Sequence, residues 1–171
     1  MQKKSLCIRF ILIIICLLAL TACAGTAQHK VDFKSGYTPK EGTKIEVGKV
    51  LNNTGSQFQI DIEQLLRESL ATRLKKNGLL YEGLGNAPMI MDTKIIDYAE
   101  GDAAKRWLMP GSGATILSIQ SDLRDGNDVV GSVDARRTVT AGGLYSVGAW
   151  KIIFGDLADD VVTELVSKIP K

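Results

Sequence analysis

Two hydrophobic rhythms divide most of the chain. Between Lys44 and Leu51 the apolar residues Ile45 and Val47 alternate with polar ones, and Asn52-Asn53-Thr54-Gly55 then breaks the run, which predicts a strand and a turn. Ile62, Leu65, Leu66, Leu70 and Leu74 recur at helical spacing. Asp61 is placed to cap this helix with Gln64 three residues on, a capping-box pattern, and Gly78 follows Lys75 and Lys76 as a left-handed stop. Met89 to Ala99 is apolar and β-branched and has Pro88 at its start, which predicts a second strand. Ala114–Leu123 and Asp128–Val139 flank the hairpin signal Asp125-Gly126-Asn127. Leu117, Ile119 and Leu123 alternate with Ser118, Gln120 and Asp122, so one face of the hairpin is packed and the other wet. Leu157, Ala158, Val161, Val162, Leu165, Val166 and Ile169 form the stripe of a last helix starting near Asp156, with Asp156, Asp159 and Asp160 at its positive end. The order β-α-β-β-β-α predicts an α+β fold, a two-layer sandwich with a mostly antiparallel sheet and two helices on one face. Residues 44–171 form this single domain.

The first residues follow neither rhythm. Lys3, Lys4 and Arg9 precede an unbroken apolar run from Phe10 to Leu20, followed by Thr21-Ala22-Cys23. A basic start, a short apolar stretch and small residues at its end read as a secretory signal over residues 1–22, removed on export. The alternative, an uncleaved anchor helix, needs about 20 apolar residues and finds fewer. Leu20-Thr21-Ala22-Cys23 resembles the lipobox of bacterial lipoproteins. That resemblance implies cleavage between Ala22 and Cys23, a diacylglyceryl thioether on Cys23 and an acylated amino terminus. Several acyl chains, each methylene contributing about 0.8 kcal/mol, would hold the protein on the membrane. Ala24 stands where the resemblance would put aspartate as an inner-membrane retention signal. In a cell with two membranes the expected location is therefore the outer one, with the domain on its periplasmic face.

Removal of the signal changes the charge and the thiol count. The net charge of +2 loses Lys3, Lys4 and Arg9, leaving 18 basic against 19 acidic residues and a mature charge near −1. No basic footprint for nucleic acid remains. Cys7 and Cys16 leave with the signal and Cys23 carries lipid, so no disulfide is expected and core packing must hold the fold. Residues 23–43 follow no clear period and read as a lipidated cysteine and a flexible tether. As a coil such a tether spans about 25 Å and fully extended about 65 Å. The alternate spacing of Val31, Phe33 and Tyr37 supports the other reading, a first strand laid on the domain.

One segment carries a family resemblance. Gly101-Asp102-Ala103-Ala104-Lys105-Arg106-Trp107-Leu108-Met109-Pro110-Gly111-Ser112-Gly113-Ala114, then a long strand and Asp122-Leu123-Arg124-Asp125-Gly126, resembles an uncharacterised bacterial lipoprotein family, domain of unknown function four-four-one-zero. The likeness extends over roughly residues 44–169 by element order. It implies no activity and no catalytic residues.

The candidate chemistry is sparse. His29 is the single histidine and lies in the tether region, so a His/Cys metal set or a Ser-His-Asp triad cannot be assembled on a rigid scaffold. No metal and no cofactor is expected. Pro110–Thr115 lacks the lysine of a phosphate loop, and its glycines read as a turn before the strand. Asp122, Asp125 and Asp128 miss the spacing of a calcium loop, and turn propensity accounts for them. Asn52-Asn53-Thr54 reads as a turn.

Two stretches offer interaction surface. Lys105-Arg106-Trp107-Leu108-Met109 in a long loop combines cations with an indole and a methionine, and Ala141–Trp150 is glycine-rich with Tyr145 and Trp150. Arg106, Trp107, Met109, Tyr145 and Trp150 are the expected partner-binding residues. The competing role for Trp107 and Trp150 is to fold back as caps on the core, and both loops at one end of the sheet would favour the interface. Lys151-Ile152-Ile153-Phe154 reads either as lipid-touching or as buried under the last helix. The expected protein is a non-enzymatic, lipid-anchored envelope domain that binds or helps assemble another envelope protein. The alternatives are a carrier holding a lipid or envelope fragment between sheet and helices, and a hydrolase using carboxylates such as Asp122 and Asp134.

Overall fold

The computed structural model describes residues 26–109, 112–140 and 148–170. The predicted signal segment, Ala22, Cys23 and Tyr145 lie outside these residues. The elements are β1 (Thr26–Phe33), β2 (Ile45–Asn52), α1 (Ile62–Lys76), β3 (Met89–Ala99), α2 (Ala103–Leu108), β4 (Thr115–Asp125), β5 (Asp128–Val139) and α3 (Ala149–Lys168). The strands form one sheet in the order β1-β5-β4-β3-β2. The pair β2–β3, bridged by α1, is parallel, and the other three pairs are antiparallel. α3 crosses β1, β5 and β4, while α1 covers β2 and packs against α3. Both long helices thus lie on one face, as the α+β sandwich requires.

The core is read most directly along a row perpendicular to the strands. Val31, Val133, Ser121, Thr93 and Val50 stand opposite one another across all five strands, and each is at most 3% exposed. Above them lie Ile62, Leu66, Leu70 and Leu74 of α1 and Ile153, Phe154, Leu157, Val161 and Leu165 of α3, all buried. The two hydroxyls in that row satisfy each other, with Thr93 Oγ1 and Ser121 Oγ 2.8 Å apart. Burial of polar atoms is tolerated only with such a partner.

Local signals set the ends of these elements. Asp61 Oδ1 accepts from the Gln64 backbone N–H at 2.9 Å, the expected cap. The reciprocal half of a capping box is not made, because the Gln64 side chain donates to Glu68 Oε1 instead. Gly78 ends α1 with φ +69°. Gly126 has φ +59° at the first central position of the β4–β5 hairpin, where an L side chain is disfavoured. Asn52 Oδ1 accepts from the Thr54 N–H and hydroxyl, a local turn at the sequence read as one.

Three expectations are corrected. The segment expected as a tether enters the sheet at once: β1 pairs with β5 from Thr26↔Thr138 to Phe33↔Gly131, the alternative reading. Of its eight residues only Val31 is buried, so an edge strand held mainly by backbone bonds leaves little hydrophobic pattern. Gly131 makes the pairing possible, because a Cβ there would lie 2.6 Å from the Asp32 carbonyl oxygen. The last helix begins at Ala149, not near Asp156. Gly155 reads as a break, yet Ile153 and Phe154 continue the stripe of Leu157, Ala158, Val161 and Val162 through it. Asp156 and Asp160 therefore sit within the helix, where they hold Arg137 at 3.4 and 2.5 Å. Finally, Lys105–Leu108 is not loop but the body of the short helix α2.

Candidate functional site

Strand direction sorts the connections between two ends of the sheet. Ala99 ends β3 opposite Ile116 near the start of β4, and Thr115 stands opposite Val139 at the end of β5. The segment 100–114 and the connection from β5 to α3 therefore leave the same end. Thr26, the first described residue, pairs with Thr138 and enters at that end too. The described parts of both sequence-nominated stretches, Lys105–Met109 and Trp150 at the start of α3, belong to this end. The opposite end carries the β4–β5 turn and the connections that follow β1 and α1.

The segment 100–114 is built around a buried cation. Asp102 caps α2, accepting from the Ala104 and Lys105 N–H groups at 2.9 and 3.0 Å. Those two bonds, opposed by desolvation, hold its carboxyl below the ordinary range. Arg106, 4% exposed, turns inward and donates from Nη1 to the Gly113 carbonyl at 2.6 Å and to Thr115 Oγ1 at 2.9 Å. Thr115 Oγ1 in turn donates to the Glu100 carbonyl at 2.7 Å, and the Asp102 N–H donates to the Gly113 carbonyl at 2.9 Å. Gly101, φ +72°, and Gly113, φ +69°, are required by this closure. A Cβ on either would meet a neighbouring carbonyl oxygen at 2.7 Å.

The expected partner-binding set is thereby split. Arg106 is not a surface anchor: its guanidinium is spent inside the loop, since a buried charge must be matched by hydrogen bonds. Trp107 and Met109 point out, 72% and 58% exposed, and Leu108 between them is 69% exposed. Trp107 thus does not cap the core. Trp150, in the first turn of α3, is 36% exposed, and its carbonyl accepts from the Tyr98 hydroxyl at 3.2 Å. Tyr98 packs edge-on against Phe58 and tilted against Phe154, closing the core at this end. Ile153 and Phe154 are buried while Ile152 is 54% exposed, which divides the Lys151–Phe154 stretch by helical periodicity. No sequence signal separated Arg106 from Trp107, because the separation depends on where Gly113 and Thr115 return.

Other candidate groups lie apart. Asp122 and Asp134 sit on the sheet face that carries no helix, on neighbouring strands, where Asp122 opposes Ser132 and Asp134 opposes Gln120. That face is an open surface of matched charges, with Arg136–Asp97 at 3.0 Å and Arg124–Asp92 at 3.6 Å. Ile96 and Val129 stand exposed, at 42% and 37%. Asp125 accepts from the Tyr37 hydroxyl at 3.0 Å, and Asp128 pairs across the turn. His29 is exposed on β1 opposite Ala135. Among the described residues no three His, Cys, Asp or Glu side chains gather as a metal set, and no helix is long and apolar enough to cross a membrane.

Buried side chains of the core, among them Leu66, Leu70, Ile119, Phe154 and Leu157, lie between sheet and helices. A cleft of about 510 Å³ opens at the far end, lined by Tyr37, Lys40, Lys44, Asn86, Met89 and Asp125. A groove of about 540 Å³ between α1 and α3 is lined by Leu65, Glu68, Thr72, Arg73, Lys151 and Ile152.

The fold is similar to that of the PelC dodecamer from Paraburkholderia phytofirmans. One structure, of a leucine-to-methionine variant, shares 18% identity and a TM-score of 0.56 over 84% of this chain and 100% of that one. A second crystal form gives 15% identity and a TM-score of 0.56 over 86% and 100%. At that identity the likeness establishes the fold. Comparison with curated proteins finds no match. The family profile described as Domain of unknown function (DUF4410) matches residues 53–143, a stretch that runs from the β2–α1 turn past the end of β5 and includes the loop around Arg106. That match spans more than half of the sequence, and the chain belongs to the DUF4410 family.

Proposed function

We propose that this protein is a lipid-anchored, non-enzymatic component of the bacterial envelope whose domain binds or helps assemble another envelope protein. The observation that carries the reading is the point where the chain enters the fold. Thr26 is already paired in the sheet, three residues after Cys23. Three residues span at most about 10 Å, so acyl chains on Cys23 would hold the domain directly on the membrane. The absence of an aspartate after Cys23 favours the outer membrane, periplasmic face, in a cell with two membranes.

Two further features support an assembly role. The sheet face without helices is available to a partner, and its exposed Ile96 and Val129 lie among charges already matched within the chain. The fold neighbour PelC is described as a dodecamer, which favours an assembly rather than a solitary domain.

The test has two parts. Intact-mass measurement of protein extracted from membranes should find the chain beginning at a lipid-modified Cys23. An unmodified Cys23 or a retained leader would refute the anchor. Mild cross-linking in cells should then yield a defined complex, either multiples of the chain's own mass or a specific envelope protein, and the paired change Ile96→Asp with Arg136→Glu should weaken it. Only the free monomer, at any cross-linker dose, would refute the assembly role.

A further inference from the structure

We infer that Trp107, Leu108 and Met109 form a rigid apolar tip that seats in the headgroup region of the phospholipid bilayer and fixes the orientation of the domain. The inference rests on the lipid-anchor reading of Cys23 and goes beyond it by assigning a second, protein-borne membrane contact. Three consecutive large apolar residues are 72%, 69% and 58% exposed, a cost in water that a core or a turn would not demand. They are also pre-formed. Asp102 caps α2, Arg106 is bonded to Gly113 and Thr115, and Met109 N–H donates to the Lys105 carbonyl at 2.8 Å. A tip held this way loses little conformational freedom on insertion.

Its location selects the occupant. The tip leaves the same end of the sheet as Thr26, and only about 10 Å of chain separates Thr26 from Cys23. Any surface holding the acyl chains is therefore the surface nearest the tip. The residue types fit that boundary: an indole favours the headgroup level, Leu and Met the acyl boundary, and Lys105 and Lys151 at the same end are exposed to meet phosphates. Asp102 Oδ1 is turned to the α2 amides, and its Oδ2 lies 4.0 Å from Lys105 Nζ, a loose exposed pair. Seating this end places the β4–β5 turn and the 510 Å³ cleft at the distal side, away from the bilayer.

The experiment uses full-length protein purified from membranes, its Cys23 modification confirmed by mass, and reconstituted into phosphatidylethanolamine–phosphatidylglycerol vesicles. Trp150→Phe leaves Trp107 as the sole indole. Its emission should be blue-shifted and quenched severalfold by lipids spin-labelled near the headgroup, and shielded from aqueous iodide. Leu108→Asp, at a position too exposed to unfold the domain, should restore iodide access and remove the lipid quenching. A lipid-modified protein whose Trp107 stays open to iodide, or is shielded by a bound protein without lipid quenching, overturns the tip and leaves the anchor standing. An unmodified Cys23 overturns both.

Discussion

Replacing Arg106 with methionine tests whether the 100–114 segment is a built element. Methionine keeps much of the stem and removes the guanidinium, which donates at 2.6 Å to Gly113 and 2.9 Å to Thr115. Hydrogen bonds from a charged donor contribute roughly 1.5–3 kcal/mol each. The two bonds share one nitrogen, and both acceptors keep another bond: Gly113 from Asp102 N–H, Thr115 to Glu100. A combined loss of about 3 kcal/mol is therefore reasonable, nearer one full bond plus part of the second. Against it stands the desolvation cost of the charge, which methionine no longer incurs, so the net falls toward about 2 kcal/mol. For a domain of this size that lowers Tm by about 6 °C. Calorimetry measures the global effect, and amide hydrogen exchange locates it, with protection lost at Asp102, Arg106 and Met109 before the sheet opens. Arg106→Lys keeps a charge without the planar fork and should recover only part of the loss. An unchanged Tm together with unchanged exchange across 101–115 would refute the claim that this cation holds the loop.

Other outcomes follow from the core and the edge. Thr93→Val alone leaves the Ser121 hydroxyl buried without its 2.8 Å partner and should cost about 1–3 kcal/mol, whereas Thr93→Val with Ser121→Ala should recover most of it in urea denaturation. Gly131→Ala drives a Cβ toward the Asp32 carbonyl and should cost about 1–3 kcal/mol, with exchange protection lost first in β1; protection unchanged in Thr26–Phe33 would place that strand outside the sheet. Tyr37 has its pKa pushed up to about 12, by burial first and then by the Asp125 hydrogen bond and charge. Because the folded value lies above the unfolded one of about 10, its contribution is complete below pH 10 and is lost as pH rises through 12, so the stability gap between wild type and Tyr37→Phe should close over that window. A gap constant from pH 9 to 12 would contradict the assignment.

How far the sequence could be read varied with the physical origin of each element. Elements stabilised by burying one stripe declared themselves: the α1 stripe of Ile62, Leu66, Leu70 and Leu74, the limits of β3, and the β4–β5 hairpin with Gly126 at its turn. β1 was legible only as an alternative, in the spacing of Val31, Phe33 and Tyr37, because an edge strand is specified by its partner's backbone and only Val31 within it is fully buried. The first two turns of α3 were concealed because Gly155, which costs a helix about 1 kcal/mol, resembles a stop while packing from Ile153 and Phe154 outweighs it. In the candidate site the composition of Lys105–Met109 drew attention to a segment that leaves Trp107, Leu108 and Met109 exposed. It could not show that Arg106 faces in and Trp107 out.

The sequence by itself determined the layer architecture and the residues of the central core, since hydrophobic periodicity is a local property of each segment. It also supplied the reasons to look for a lipid at Cys23. Only the tertiary structure decided which surfaces coincide. Strand register brought Thr26, the Arg106-pinned loop and Trp150 to one end of the sheet, over separations of more than thirty residues that no local pattern encodes. Which side chains of that loop turn into the fold and which stay exposed was fixed there too, because a guanidinium takes its direction from the acceptors within its reach.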